Sequence, residues 1–243
     1  GFYTKEDPQI PYVTQYHMQT FEHNKGKNVI HWIGTDVLQL RWNCSFEKIK
    51  QLKKWFKDNN IIHLCECDWI QEELKEVGID AKIVPIPPKK IYSPMPLPEE
   101  FSVGIYAPKS GMYNEELMME VIRAMPDVKF YLFGDDEKKG AKGDNFEHLG
   151  YIDYDEWIPK LSANLRITSH DGLPLTPLQF MTAGRNVITN QPVKGAIVVK
   201  DDRKSIIKGI RQAQKNPLKE SVSKQWIKDL DVEKYKKAIR RFI

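Results

Sequence analysis

The residues best placed to do chemistry lie in one stretch, Ser169 to Asn190, with the sequence SHDGLPLTPLQFMTAGRNVITN. Residues 165–169 are predicted to form a short strand. An acid, Asp171, follows it at once, and Gly-Leu-Pro then predicts a turn. Because open α/β sheets hold ligands at the carboxyl ends of their strands, Asp171 is a candidate for contact with a substrate.

A helix is predicted from Pro177 to Ala183. Proline suits the first helical position, where its missing N–H costs nothing, and Gly184 suits the cap at the other end. The helix N-terminus presents unpaired N–H groups and the positive end of the helix dipole. An anion bound near Leu175 or Thr176 is therefore favoured, and a diphosphate is the obvious candidate.

The same stretch resembles the C-terminal signature of the retaining GT-B glycosyltransferases of family 4, whose usual form is Glu-Gly-Phe-Gly-Leu-x-Pro-Leu-Glu-Ala-Met-Ala-x-Gly. Asp171 falls on the first Glu of the signature and Gln179 on the second, so both acids are changed. The other matching positions are Gly172, Leu175, Pro177, Leu178, Met181 and Gly184.

Three segments upstream extend the resemblance, so that it covers roughly residues 101–190. They are VGIYAPKSG (103–111), VKFYLFGDD (128–136) and the run from Phe146 to Gly172. The resemblance implies two Rossmann-like domains whose parallel sheets face a cleft, and sugar transfer with retention from a UDP- or GDP-sugar. It also implies that no metal or other cofactor is needed.

The resemblance assigns roles to several residues on the donor side. Asp171 would accept hydrogen bonds from the sugar hydroxyls, and Gln179 would bond the ribose hydroxyls. The alternative for Gln179 is a solvated helix residue without a ligand. Ile105 replaces the family's usual phosphate-binding Arg, so Lys109 becomes the best phosphate contact, unless it is simply a solvated loop lysine. The further donor-side candidates are Gly104, Gly134, Tyr151, Gly172, Leu173, Leu175, Thr176 and Arg185.

Two histidines and one loop are candidates for catalysis and for acceptor binding. His31 and His170 lie near the ends of predicted strands, where an imidazole could bond the donor or polarise an acceptor hydroxyl, or could serve the structure alone. Gly34, Thr35 and Asp36 follow the first strand, and Asp36 could bind an acceptor hydroxyl or cap the next helix.

Composition indicates an ordinary protein of α/β class. The 243 residues are 41% hydrophobic, and no run approaches the eighteen or so apolar residues that span a bilayer. The three cysteines, Cys44, Cys65 and Cys67, share no metal-ligand pattern, so we expect reduced thiols in a cytoplasmic protein and no metal.

A basic segment, residues 46–58 (FEKIKQLKKWFKD), predicts an amphipathic helix with several lysines on its polar side. Such a helix could rest on an anionic membrane, where lipid-linked acceptors are presented, or could face the core with its lysines solvated. The basic residues form no nucleic-acid-binding motif, so no nucleic acid is expected as a partner.

Alternating strands and helices predict two doubly wound halves. In the first half, strands are predicted over 28–33, 61–65 and 81–85, and a helix over 69–77. The proline-rich stretch 85–98 predicts a connection between domains. We therefore predict an acceptor-side domain over 1–94, a nucleotide-sugar domain over 95–220, and a helical tail over 221–243 that crosses back to the first. The first domain is short for the family, so it is either a reduced form or a fragment.

The sequence therefore predicts a glycosyltransferase that moves a sugar to an unidentified sugar, lipid-linked or protein acceptor. The changed acids and the missing Arg leave open a nucleotide-sugar-binding protein without catalysis. The basic helix leaves open an interaction module that docks on membranes.

Overall fold

The computed structural model describes residues 29–241 and divides them into two compact units. Unit 1 contains the described chain up to Lys89, the short segment His170–Leu173 and the chain from Leu230 onward. Unit 2 contains Lys90–Ser169 and Pro174–Asp229. The structure thus passes from the first unit to the second within the proline-rich stretch, a few residues before the predicted boundary at 94.

Unit 1 is built on a parallel sheet of order β1-β2-β3 with helices between the strands. The first two strands and the second and third helices were predicted within one or two residues, but the third strand is only two residues long and the first helix was missed. The elements are β1 (Val29–Trp32), α1 (Thr35–Asn43), α2 (Phe46–Asp58), β2 (Ile62–Cys65), α3 (Asp68–Glu76) and β3 (Lys82–Ile83).

Unit 2 has a parallel six-stranded sheet of order β6-β5-β4-β7-β8-β9. The strand order reverses between β4 and β7, where open α/β sheets bind ligands. Its elements are β4 (Ser102–Tyr106), α4 (Glu115–Arg123), β5 (Lys129–Phe133), β6 (Phe146–His148), α5 (Tyr154–Trp157), β7 (Ala163–Arg166), α6 (Leu175–Thr182), β8 (Asn186–Thr189), β9 (Ile197–Val198), α7 (Arg203–Lys215) and α8 (Glu220–Asp229).

The core of unit 2 consists of apolar side chains from the central strands and from the helices packed on them. Because strands of a parallel sheet are covered on both faces, they are continuously apolar, and Val103, Phe130 and Leu165 are fully buried. Helices α4 and α7 add Met118, Val121 and Ile206, Ile210 to the same cluster.

Helix α6 begins at Leu175, two residues before the predicted start, so Pro177 is its third residue. Proline is tolerated there because the N–H groups of the first turn have no partner within the helix. The helix ends as predicted: Gly184 has φ 82°, and the N–H groups of Gly184 and Arg185 donate to the carbonyls of Met181 and Phe180. This is a Schellman motif, which needs a residue with positive φ.

The C-terminal tail is two helices rather than one, because α8 belongs to unit 2 and α9 (Val232–Arg240) to unit 1. Asp231 separates them and accepts the N–H of Lys234 as the N-cap of α9. In unit 1, Ile239 of α9 joins a buried cluster with Val29 and Leu64 of the sheet.

The basic helix predicted over 46–58 is α2, with Ser45 as its N-cap. Its Leu52 and Phe56 are buried in unit 1, so one side of the helix faces the core and its lysines are exposed. Within residues 29–241, none of the helices has the length and apolar character needed to cross a membrane.

Candidate functional site

The loops that follow β4 and β5 pack closely at the reversal of strand order in unit 2. Gly134, directly after β5, has φ 106°, and its N–H donates to the carbonyl of Gly150 (2.9 Å). A Cβ on Gly134 would lie 2.8 Å from the ring of Tyr106 and 3.4 Å from the nitrogen of Pro108. Only glycine combines that φ with so close an approach, so the loops are held together at this edge.

Lys109 lies in the loop after β4, beside the turn that follows β5. Its Nζ is 2.6 Å from Glu137 Oε2, and both side chains are about 70% exposed (73% and 70%). An exposed ion pair contributes little free energy, so the ammonium can exchange this carboxylate for another anion at small cost.

A second cation lies at the same edge. The guanidinium of Arg166, the last residue of β7, is 5.1 Å from the ring centre of Tyr106 and 5.2 Å from that of Tyr113. Two aromatic rings fix a guanidinium by cation–π attraction. The sequence alone does not show this arrangement, because both tyrosines are distant from Arg166 along the chain.

Tyr151 is an exposed aromatic side chain, with 71% of its surface accessible. Its backbone N–H donates to Asp136 Oδ1 (2.8 Å), which fixes the loop after β6. Tyr151 also lines a cavity of about 360 Å³ together with His148 and Trp157. The position suits stacking against a planar ligand.

The start of α6 is the predicted anion site. Leu175 is 38% exposed, and Thr176 is fixed by a hydrogen bond of 3.1 Å between its hydroxyl and that of Tyr154. Gln179 is buried, and its Nε2 donates to the carbonyl of Lys90 at 3.4 Å. The alternative in which Gln179 is a solvated helix residue is therefore wrong, while its contact with ribose stays a prediction.

Two predicted donor contacts have structural roles instead. Gly104 is the middle residue of β4, and a Cβ there would lie 2.8 Å from Leu161 and 3.2 Å from Phe133. Arg185 is fully buried, and its guanidinium donates to the carbonyls of Met95, Pro96 and Ile158. Neither residue presents a surface to a ligand.

Asp171 lies in a segment that folds with unit 1. The segment His170–Leu173 packs against the carboxyl edge of the β1-β2-β3 sheet. A Cβ on Gly172 would lie 2.1 Å from the carbonyl oxygen of Ile33, and one on Gly34 would lie 2.6 Å from the nitrogen of Gly172. Gly34 and Gly172 therefore allow the backbone after β1 and the backbone of the segment 170–173 to pack directly against each other.

Asp36 serves the local backbone. It is the second residue of α1, and its carboxylate accepts the N–H groups of Ile33, Gly34 and Val37. Burial raises the pKa of Asp36, and these three N–H groups partly offset that rise. Asp36 thus binds the backbone of the turn into α1 without being its N-cap, which is Gly34, and Thr35, predicted in a loop, is the exposed first residue of α1.

The two candidate histidines are both engaged inside unit 1. His31 lies within β1 and stacks on Tyr235 of α9, and burial lowers its pKa to about 4. His170 Nε2 is 2.9 Å from Glu73 Oε2, and Glu73 also pairs with Arg41. His31 is therefore a half-buried residue packed against α9, and the contact with Glu73 anchors His170.

Glu66 is a buried acid that sequence reasoning missed. It follows β2 directly, is 5% exposed, and its Oε2 accepts the N–H of Leu173 (3.1 Å). Burial, with smaller contributions from Asp36 and Asp171, raises its pKa to about 8. The only signal in the sequence was an acid between two cysteines, and it gave no hint of a partner more than a hundred residues away.

No described residues form a metal-binding group: between 29 and 241, no cluster of three or more His, Cys, Asp or Glu could hold an ion. The described cysteines Cys44, Cys65 and Cys67 are free thiols.

The fold, with its parallel sheets and the reversal in unit 2, is that of the GT-B glycosyltransferases. A variant of S. aureus TarM in complex with fondaparinux, alpha-GlcNAc-glycerol and UDP is similar, with a TM-score of 0.72 and 13% identity, over 90% of this chain and 51% of that one. Anabaena HepE in complex with UDP and glucose has a TM-score of 0.71 and 11% identity, over 88% of this chain and 71% of that one.

Sucrose-phosphate synthase from Thermosynechococcus elongatus has a TM-score of 0.70 and 11% identity, over 92% of this chain and 68% of that one. This chain thus spans about half the length of TarM and about two thirds of the other two. No family model and no curated protein matches the sequence. At such low identity the likeness shows the fold alone.

Proposed function

We propose that this chain is a glycosyltransferase that moves a sugar from a UDP- or GDP-sugar to a sugar, lipid-linked or protein acceptor. The observation that carries the proposal is the reversal of strand order between β4 and β7, with two cations and the start of α6 in the loops of that sheet. The same fold is found in proteins solved with UDP.

The leaving diphosphate is the group that most needs stabilisation, because negative charge builds on it as the glycosidic bond breaks. We assign this role to the N-terminus of α6 at Leu175 and Thr176, with Lys109 and Arg166 as cations. Two side-chain cations and the helix N-terminus supply the positive potential, so we propose that a divalent metal is not required.

We assign the ribose, the base and the sugar of the donor to three further residues. Gln179 bonds the ribose hydroxyls. Its neutral amide does so more weakly than a carboxylate would, because charge-assisted hydrogen bonds are stronger. Tyr151 stacks on the base, and Asp171 accepts hydrogen bonds from the sugar hydroxyls. Retention of configuration follows from the family resemblance, and the free thiols fit a cytoplasmic enzyme.

Contact with a membrane is a second candidate role, favoured by two exposed aromatic side chains. Trp42, near the end of α1, is 71% exposed and Phe46, at the start of α2, is 78% exposed. The exposed lysines of α2 follow them, and a basic surface with exposed aromatic residues suits an anionic bilayer. Sedimentation with phosphatidylserine vesicles tests this role: binding lost in Trp42→Ala/Phe46→Ala supports it, and no binding at low salt contradicts it.

Calorimetric titration of the chain with UDP, GDP and ADP tests the donor site. We expect binding of UDP or GDP that is equal with magnesium and with EDTA. Lys109→Ala should weaken binding about tenfold, whereas Lys82→Ala, which removes an exposed lysine of unit 1, should not. Binding that requires the metal contradicts metal independence, and the absence of any binding contradicts the donor site.

A further inference from the structure

We propose that Glu66 is a positioning residue: its buried carboxyl group holds the segment His170–Leu173, and with it Asp171, at the carboxyl edge of the unit 1 sheet. The inference rests on the proposed function, in which Asp171 contacts the donor sugar. Glu66 itself touches the segment and not the sugar.

The carboxyl group of Glu66 is in direct contact with two residues of the segment. Its Oε2 accepts the backbone N–H of Leu173 at 3.1 Å. The same oxygen lies 2.7 Å from where a Cβ on Gly172 would be, so the glycine allows the approach. Leu173 and Glu66 are both 5% exposed, so water cannot easily replace this hydrogen bond.

Helix α3, which follows Glu66, holds the two remaining residues of the segment. The indole Nε1 of Trp69 donates to the carbonyl of Asp171 (2.9 Å), and Glu73 bonds His170 Nε2 (2.9 Å). Side chains of unit 1 therefore hydrogen-bond three of the four segment residues, and the fourth, Gly172, packs against the backbone of Ile33.

Protonation keeps a buried negative charge out of this contact, whereas the hydrogen bond from Leu173 by itself favours the ionised form of Glu66. The groups that face it are the carboxylates of Asp36 from α1 and Asp171 from the segment, and the thiols of Cys65 and Cys67 flank it in sequence. Burial raises the pKa of Glu66 to about 8, so the group is neutral at pH 7. Ionisation above that value puts a third negative charge beside Asp36 and Asp171, which favours displacement of the segment toward water.

Hydrogen exchange of the full chain, read by mass spectrometry on peptides covering 168–175, tests the positioning. At pH 7 we expect equal protection in wild type, in Glu66→Gln and in the control Glu72→Ala, which removes an exposed glutamate of α3. Glu66→Ala should lose protection at least tenfold. Between pH 7 and pH 9, after correction for intrinsic rates, wild type should lose protection and Glu66→Gln should keep it.

Protection in Glu66→Ala equal to wild type, or the same loss with pH in Glu66→Gln as in wild type, overturns the proposal. The pH comparison uses only wild type and Glu66→Gln, so it tests the positioning role of Glu66 even if Glu66→Ala does not fold.

Measurements of turnover test whether the positioning of Asp171 by Glu66 affects catalysis. With the donor that wild type uses fastest among UDP-glucose, UDP-N-acetylglucosamine and GDP-mannose, Glu66→Ala should lower kcat at least tenfold while the Kd for UDP or GDP stays within twofold. An unchanged kcat together with lost protection overturns the catalytic part of the inference. Wild type that neither binds a nucleotide nor turns over a donor overturns the proposed function instead.

Discussion

A Cβ on Gly172 would lie 2.1 Å from the carbonyl oxygen of Ile33, closer than any nonbonded carbon and oxygen approach each other. The backbone of Gly172 therefore lies directly on the turn that ends β1. Since Gly172 follows Asp171, this contact fixes where the candidate sugar-binding carboxylate stands in unit 1.

Gly172→Ala should displace the segment, because both groups that the new methyl would meet are held in place: the backbone of Ile33 and the buried carboxyl of Glu66. We expect turnover to fall more than tenfold and the unfolding temperature to drop by several degrees, as a loss of roughly 1–3 kcal/mol from overpacking implies. Differential scanning fluorimetry and donor turnover measure both effects.

The matched control is Gly111→Ala, whose Cβ would meet no atom within 4 Å. Its unfolding temperature should equal that of wild type. A Gly172→Ala variant as stable and as active as wild type would show that the segment is free to move.

The free energy of unfolding should fall as the pH rises, because Glu66 has a raised pKa in the folded chain. Its pKa is about 8 in the folded chain and 4.5 without burial, so between these values the unfolded state is ionised while the folded state keeps the proton. Its contribution is therefore complete below pH 4.5 and is lost as the pH rises to 8, by roughly 5 kcal/mol at most. Urea unfolding should show Glu66→Gln gaining stability relative to wild type from pH 5 to pH 8.5.

A stability difference between Glu66→Gln and wild type that does not change over this range would contradict the raised pKa. Glu72→Gln, at an exposed position of α3, serves as the control and should follow wild type at every pH.

Gln179 should contribute to nucleotide affinity rather than to turnover. Removing an ordinary hydrogen bond in Gln179→Ala should weaken UDP or GDP binding by about 1 kcal/mol, with kcat at saturation little changed. Gln179→Glu should bind the nucleotide equally well or more tightly, since a carboxylate accepts ribose hydroxyls more strongly. It should also be less stable, because the amide that donates to the Lys90 carbonyl is lost. Loss of nucleotide binding in Gln179→Glu would rule out a ribose contact.

Arg185 should matter for stability and not for the donor. Arg185→Met removes a buried guanidinium that donates to three backbone carbonyls, those of Met95, Pro96 and Ile158, so we expect a loss of about 2–4 kcal/mol in urea unfolding. The exposed Arg203→Met should change stability by less than about 0.5 kcal/mol. If folded Arg185→Met binds UDP or GDP more than tenfold more weakly than wild type, Arg185 is a donor contact after all.

The sequence predicted the features that depend on local residues. Apolar runs predicted β1 and β2 of unit 1, and Gly184 predicted the end of α6, because glycine is the residue that most readily adopts a positive φ. The start of α6 was misplaced since Leu175 and Thr176 are as compatible with a turn as with a helix. The placement of the segment 170–173 could not be predicted, because Glu66 is 107 residues from its partner Leu173 and their pairing depends on the tertiary fold.

Release of UDP or GDP from a panel of nucleotide sugars, measured by mass spectrometry with wild type and Asp171→Asn, is the most direct test of a glycosyltransferase. We expect wild type to release the nucleotide from one donor. Asp171→Asn should lower that rate at least tenfold with nucleotide affinity within twofold, since interactions made only in the transition state change turnover and not binding. Tight nucleotide binding without release from any donor, with or without simple sugar acceptors, would contradict catalysis and favour a nucleotide-sugar-binding protein.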